Sequence, residues 1–459
     1  MLHLGRTLVR NCQAVTRREL LQVGACSALG LGLEQWLAGQ SHAAGNPAAV
    51  KSVMLLWLWG GPSHHETWDP KPNAPSKIRG PYSPIATSVP GAHICELLPQ
   101  TARAMHKFCI VRSMAHDMKD HNQGGTVSLT GSTNGSQASG AVPFLGRVRP
   151  SMGSLVSYLS RQRATDWPAF TVIGPNCKVS GADLRGQTSG ALGAAHDPFR
   201  LTSWSFDDGF QAPPSIKPLG ELGGGRLDNR RQLLANLDEW QRRIESGGYA
   251  ERFTDLQHKA FGLLSSSGTK RALDIDAEAD DLRDRYGRTI FGQDLILGRR
   301  LIEAGVPFVQ INWSGDAEDE QQGGDGGWDL HYRLFERMQD RYCPVFDRGF
   351  TALLDDLDSR GLLKSTLVIA MGEFGRSPAI SGTGGREHWP YGYSLVVAGG
   401  GTPGGTIVGA STTDGGYPAS RPVHPSDLIV TVLEKMGLNR TELFVQDSAV
   451  LGAEIPELS

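Results

Sequence analysis

The stretch 366–390, TLVIAMGEFGRSPAISGTGGREHWP, decides how the chain is read. Thr366 to Met371 is a short apolar run rich in β-branched residues, the pattern of a strand buried in a parallel sheet. It stops at Gly372, and Glu373 follows. A carboxylate just past the carboxyl end of a strand sits where open α/β sheets build their ligand crevices. A Gly-rich loop then brings in Arg386 and His388. A carboxylate, an imidazole and two arginines, Arg376 and Arg386, around one strand end suit a divalent metal next to an oxyanion. The same residues also suit a plain loop salt bridge between Glu373 and Arg376.

Working outward, the same arrangement recurs. Val50 to Trp59 is apolar almost throughout and predicts a central strand. Gly60-Gly61-Pro62 ends it, and Ser63, His64, His65, Glu66 and Asp69 follow, a plausible metal or anion cluster. A short strand at 108–112 leads into His116, Asp117, Asp120, His121 and Asn122. Small residues from Gly124 to Gly131 then suggest a close-packed helix whose first amides suit an anion. A helix over 292–304 and a strand over 306–313 form an α-then-β unit of a doubly wound sheet. After an acidic, Gly-rich loop come Asp329 and His331, two apart and so able to face one ion from an extended segment. Leu334 to Arg360 reads as a helix with Pro344 kinking or restarting it. Strands at 169–173 and 394–398, and helices at 97–107, 152–161 and 426–436, complete the α/β pattern. Residues 223–268 read as a helical insertion.

The ends and the composition set bounds. Thr16-Arg17-Arg18 before a modest apolar stretch, with Ser41-His42-Ala43-Ala44 as a small-residue cleavage site, is a twin-arginine export signal over residues 1–43. This places the mature chain, one domain over 44–459, in the periplasm or outside the cell, with the twin-arginine export machinery as a partner. No other apolar run approaches 20 residues, so no membrane span is expected. With 45 basic and 48 acidic residues the formal charge is −3, which gives no field for nucleic acid. Cys95, Cys109, Cys177 and Cys343 lie beyond the signal, and an oxidising compartment would let them pair as disulfides.

Taken in order, GGPSHHETWDPKP, the DHN…LTG segment, YGRTIFGQ, RRLIEAGVPFVQI, GWDLH, GEFGRSP and GREHW resemble one family over roughly residues 50–455. It is the uncharacterised family of twin-arginine-exported, sulfatase-like bacterial proteins, a domain of unknown function in the alkaline-phosphatase-like superfamily. The resemblance implies a mostly parallel sheet sandwiched between helices and one or two divalent ions (zinc, calcium, magnesium or manganese). It makes Asp329, His331 and His388 one metal site, and Glu373 the late acidic ligand of a second. The sequence departs from the superfamily where the first strand ends in Gly60-Gly61 rather than an Asp, with Glu66 or Asp69 as replacements. It departs again where Phe374 follows Glu373. The nucleophile position falls near His121 and Asn122, with Arg376 and Arg386 as the oxyanion clamp. No formylglycine motif occurs. The expected activity is metal-dependent hydrolysis of a phosphate or sulfate ester, on a small molecule or a polysaccharide. The alternative is a catalytically degenerate carbohydrate- or anion-binding protein on the same scaffold.

Overall fold

Strand β1, Ser52–Leu58, has every residue buried and lies at the centre of an eight-stranded sheet. Its alternate side chains serve opposite faces, as a pleat requires. Met54, Leu56 and Leu58 join one core cluster, and Val53, Leu55 and Trp57 join the other. The remaining strands are β2 (Phe108–Met114), β3 (Phe170–Ile173), β4 (Phe199–Leu201), β5 (Phe308–Trp313), β6 (Thr366–Met371), β7 (Tyr393–Gly399) and β8 (Ile407–Val408). The order is β8-β2-β7-β6-β1-β5-β3-β4. Strand β7 pairs antiparallel with both neighbours, and every other pairing is parallel. The mostly parallel α/β sheet expected from the sequence is thus present. The computed structural model describes residues 50–136, 147–161, 167–201, 204–205, 209–210, 267–313, 327–445 and 452–459. The export signal at 1–43 and all but the last two residues of the helical insertion expected at 223–268 lie outside the described residues.

Five helices of eight residues or more flank the sheet among the described residues: α1 (His121–Thr130), α2 (Met152–Leu159), α3 (Ile290–Glu303), α4 (Cys343–Ser359) and α5 (Pro425–Lys435). Leu295 and Leu301 of α3 and Phe350 and Leu354 of α4 pack on one face. Leu155 of α2 and Ile429 and Leu433 of α5 pack on the other. A π-helical turn, Met338–Tyr342, precedes α4, whose first turn contains Pro344. The wide turn absorbs the missing proline N–H, so the chain restarts rather than breaks. The helix expected over 97–107 is shorter, Pro99–Arg103 followed by a 3-10 turn at Met105–Lys107. All four described cysteines are free and buried, so the disulfides expected from the compartment do not form among them. No helix among the described residues is long and apolar enough to cross a membrane.

The parallel strands β1 and β6 run side by side and deliver their following residues to one edge of the sheet. Two glycines make that edge usable. Gly60 and Gly61 have φ of +104° and +81°, a region that costs side-chain-bearing residues steric strain. A Cβ on Gly60 would lie 2.2 Å from the backbone nitrogen of Asp329, and one on Gly61 would lie 2.7 Å from the Phe374 ring. The first strand therefore ends in glycine because the chain carrying Asp329 passes against it. Gly60→Ala should lower unfolding free energy by about 3 kcal/mol through strain and overpacking. Urea denaturation checks this, and wild-type stability would show that Asp329 approaches less closely.

Candidate metal centre

Glu373 is fully buried, and each part of it is held. Its carboxylate accepts the Gly60 amide at 3.0 and 3.2 Å and lies 2.6 Å from Nδ1 of His121. Its carbonyl accepts from Nε2 of His116 at 2.6 Å and from the Ser128 hydroxyl at 2.8 Å. His121 opens α1, whose N-cap Asp120 accepts the amides of Asn122 and Gln123. Gly124 and Gly125 let that helix close on Phe374 and Trp59, where a Cβ would come within 2.9 Å of either ring. Burial favours neutral His121, but hydrogen bonding and charge from Asp329 and Glu373 overturn this and raise its pKa to about 10.

Asp329 is the hub. Its Oδ1 lies 3.0 Å from Nε2 of His331, 3.2 Å from Nε2 of His388 and 2.5 Å from the Arg376 guanidinium. Its Oδ2 lies 3.0 Å from Nε2 of His121. Burial would raise this carboxyl's pKa, but Arg376 and the imidazoles hold it well below the carboxylate range. His388 is the reverse case, pushed down to about 4, chiefly by burial.

Proton accounting shows what the cluster lacks. Nδ1 of His388 faces the Lys119 carbonyl at 2.9 Å, and a carbonyl only accepts. Nδ1 therefore carries the hydrogen, and neutral His388 presents a lone pair at Nε2. Nδ1 of His331 faces the Glu387 carboxylate at 3.0 Å, which leaves a lone pair at its Nε2 when that ring is neutral. These two Nε2 atoms are 2.9 Å apart and both face Asp329 Oδ1. Nε2 of His121 is buried and lies 3.0 Å from Asp329 Oδ2. Lone pairs converging this closely need a proton or a cation between them. His121, Asp329 and His388 each offer a ligand atom, all within 4.8 Å of one another. Imidazole nitrogens with a carboxylate oxygen are the donor set of zinc and similar ions.

The structure thus brings together Asp329, His331, Glu373, His388 and His121. It does not bring Glu66 or Asp69 to them. Glu66 is paired bidentately with Arg386, at 3.0 and 2.6 Å, and accepts from Ser63. Asp69 is bound by Lys71 at 2.9 Å and by the Ser411 hydroxyl. The expected arginine clamp is also absent. Arg386 gives its donors to Glu66 and to the carbonyls of Ser377, Pro378 and Ile78. A guanidinium has five N–H groups, so none remains for a substrate. Arg376 is committed to Asp329 and to the carbonyls of Gly60, Gly61, Trp328 and Arg386. Both arginines are completely buried and hold the strand ends together. Asn122 lies in the first turn of α1, and its Oδ1 is buried without a partner. Phe374 packs 4.6 Å from the His388 ring and 5.0 Å from His121, an apolar wall in place of another ligand.

Two neighbouring histidines set an acid limit on the fold. His64 and His116 are pushed down to about 4, mainly by burial. Unfolded, each would bind a proton near pH 6.5. The unfolded chain therefore takes up more protons as pH falls from 6.5 toward 4, and stability falls with it. Between pH 7 and pH 5 the unfolding free energy should drop by roughly 2–4 kcal/mol, read by urea denaturation. A flat profile would mean that these rings are hydrated.

These features define an α/β protein with a histidine–carboxylate cluster at the carboxyl ends of its strands. The family model described as "Protein of unknown function (DUF1501)" matches residues 50–450, and the chain belongs to that family. No curated protein matches it. Among solved structures it is similar to lipoteichoic acid synthase LtaP from Listeria monocytogenes, at 10% identity and a TM-score of 0.39, over 89% of this chain and 76% of that one. It is also similar to a phosphonate monoester hydrolase from Silicibacter pomeroyi, at 11% identity and a TM-score of 0.35, over 89% and 76%. A sulfatase from Pseudoalteromonas sp. gives 14% identity and a TM-score of 0.36, over 89% and 72%. Nothing about activity follows from likenesses this distant.

Proposed function

We propose that Asp329, His331, His388 and His121 hold one divalent cation and that the protein is a metal-dependent hydrolase of a phosphate or sulfate ester. The observation that supports this is the convergence of His331 Nε2, His388 Nε2 and Asp329 Oδ1, with His388 Nδ1 committed to the Lys119 carbonyl. Among the described residues a second ion finds no matching set of donors. Gly60 contributes an amide, Phe374 a ring, and Glu66 is consumed by Arg386.

A bound cation would supply Lewis-acid stabilisation of charge on the ester oxygen. The protein's own groups prepare the site. The Lys119 carbonyl fixes the His388 tautomer, as outer hydrogen-bond partners do for ligating imidazoles. Glu387 does the same for His331. Arg376 keeps Asp329 ionised and fixed. Glu373 orients His121 through Nδ1 and is itself anchored by Gly60. Exposure is graded across the cluster. Glu373 is sealed at 0%, while the His388 and His331 side chains are 22% and 34% exposed, so an ester would approach from that side. The Arg17-Arg18 leader would place this activity outside the cytoplasm.

The test is turnover after chelation. Hydrolysis of nitrophenyl phosphate or sulfate should vanish with EDTA, return with one divalent ion, and be absent in His388→Ala. The binding-protein alternative draws on α1 opening with an imidazole rather than a hydroxyl, on a saturated Arg386, and on an Arg376 buried against Asp329. Metal binding without turnover on any ester would favour it.

A further inference from the structure

Beside the cluster, a tight turn is braced more heavily than a surface loop requires. Its three consecutive carbonyls, of Asp414, Gly415 and Gly416, face three ring nitrogens from elsewhere in the chain. His65 Nε2 meets the first at 2.9 Å, His64 Nε2 the second at 2.8 Å, and Trp389 Nε1 donates to the third at 2.5 Å. Within the turn the Thr412 hydroxyl donates to Asp414 at 2.6 Å and accepts the amides of Gly416 and Tyr417 at 3.1 Å. His64 and His65 are buried rings with centroids 4.2 Å apart, tilted by 45°. The turn's product is Tyr417, 50% exposed and the only exposed large hydrophobic side chain among the described residues.

Tyr417 does not stand alone. It lies nearly parallel to Tyr391, with 25° between planes and 5.9 Å between centroids. Trp389 stands steeply to both, at 84° and 73°. Two stacked rings and a third set across them make an aromatic corner. The exposed Lys119 holds its ammonium 5.2 Å from the Tyr391 ring and 5.6 Å from Trp389, and has no carboxylate partner among the described residues. The corner is continuous with the metal cluster, since Trp389 adjoins His388 and the Lys119 carbonyl holds His388 Nδ1.

We propose that Tyr417, Tyr391, Trp389 and Lys119 form a subsite for one sugar ring of an acidic polysaccharide. A pyranose presents a face of C–H groups that packs on aromatic rings, while its rim carries hydroxyls and acidic substituents. Rigid aromatic side chains supply such contact area at low entropic cost. The unpaired Lys119 matches a sulfate or carboxylate on that ring. Three rings and one cation make a patch for one sugar residue, far smaller than a stable protein interface. The place of this sugar within a hydrolysed ester rests on the proposed function above, whereas the subsite itself does not.

The experiment is binding by chelated full-length protein, which separates it from catalysis. The probes are κ-carrageenan, chondroitin sulfate and alginate, with neutral dextran and polyglutamate as controls, read by calorimetry. At least one acidic polysaccharide should bind more tightly than both controls. Tyr417→Ala should weaken it about five- to tenfold, and Tyr417→Trp should restore most of the loss. Lys119→Ala should abolish the preference over dextran. Failure of all three polysaccharides to bind, unchanged binding by Tyr417→Ala, or equal binding of polyglutamate would overturn the proposal. Any of these would leave the cation site untouched.

Discussion

Arg386→Met destabilises the protein by about 3–5 kcal/mol, the cost of stranding one partner of a buried ion pair. Arg386 and Glu66 are 0% and 1% exposed and 320 positions apart in sequence. The pair ties the loop after β1 to the loop that carries His388, and Arg386 also ties in the carbonyls of Ser377, Pro378 and Ile78. Methionine fills much of the space and leaves Glu66 with the Ser63 hydroxyl as its remaining partner. The double variant Arg386→Met with Glu66→Leu should recover a large part of the loss, because replacing both ions by apolar groups removes the stranded charge. Guanidinium denaturation of the four proteins measures this. Equal stability of the single and double variants would mean that Glu66 is hydrated rather than sealed.

The second large effect concerns ligand binding. Zinc or manganese added to chelated wild type should raise the melting temperature, since a ligand that binds only the folded state stabilises it by mass action. His388→Ala and Asp329→Asn should lower metal affinity by about 100-fold or more, and at matched metal concentration the shift should disappear. Asp329→Asn keeps the shape of the side chain but loses the charge that attracts the ion. Glu387→Gln is a milder change, because it weakens only the hydrogen bond behind His331. An undiminished shift in His388→Ala would remove that residue from the ligand set.

Much of the architecture was legible because it rests on simple patterns. Strands buried on both faces read as unbroken apolar runs, and β1 and β6 do. A carboxylate one residue past such a run has few places to go, so Glu373 could be found at the sheet edge. Asp329, His331 and His388 could be named from their spacing and resemblance. What could not be read was who pairs with whom. Glu66 and Asp69 look like ligands when only their own segment is in view. Their partners, Arg386, Lys71 and Ser411, decide otherwise, and two of these three lie more than 300 positions away. The arginines look like a clamp for the same reason, since a sequence shows charge but not the carbonyls that absorb it. Phe374 and Gly60 carried a signal as departures from the pattern the sequence resembles, and both prove to shape the site. Tyr417 carried none. A tyrosine after two glycines is ordinary until His64, His65 and Trp389 are seen gripping its turn.

The most direct test of the proposed cation site is metal stoichiometry by native mass spectrometry on folded full-length protein, with His388→Ala beside it. One divalent ion per wild-type chain and none in the variant is the predicted result. Folded wild-type protein that carries no ion, and takes up none when zinc, manganese, calcium or magnesium is supplied, would contradict it.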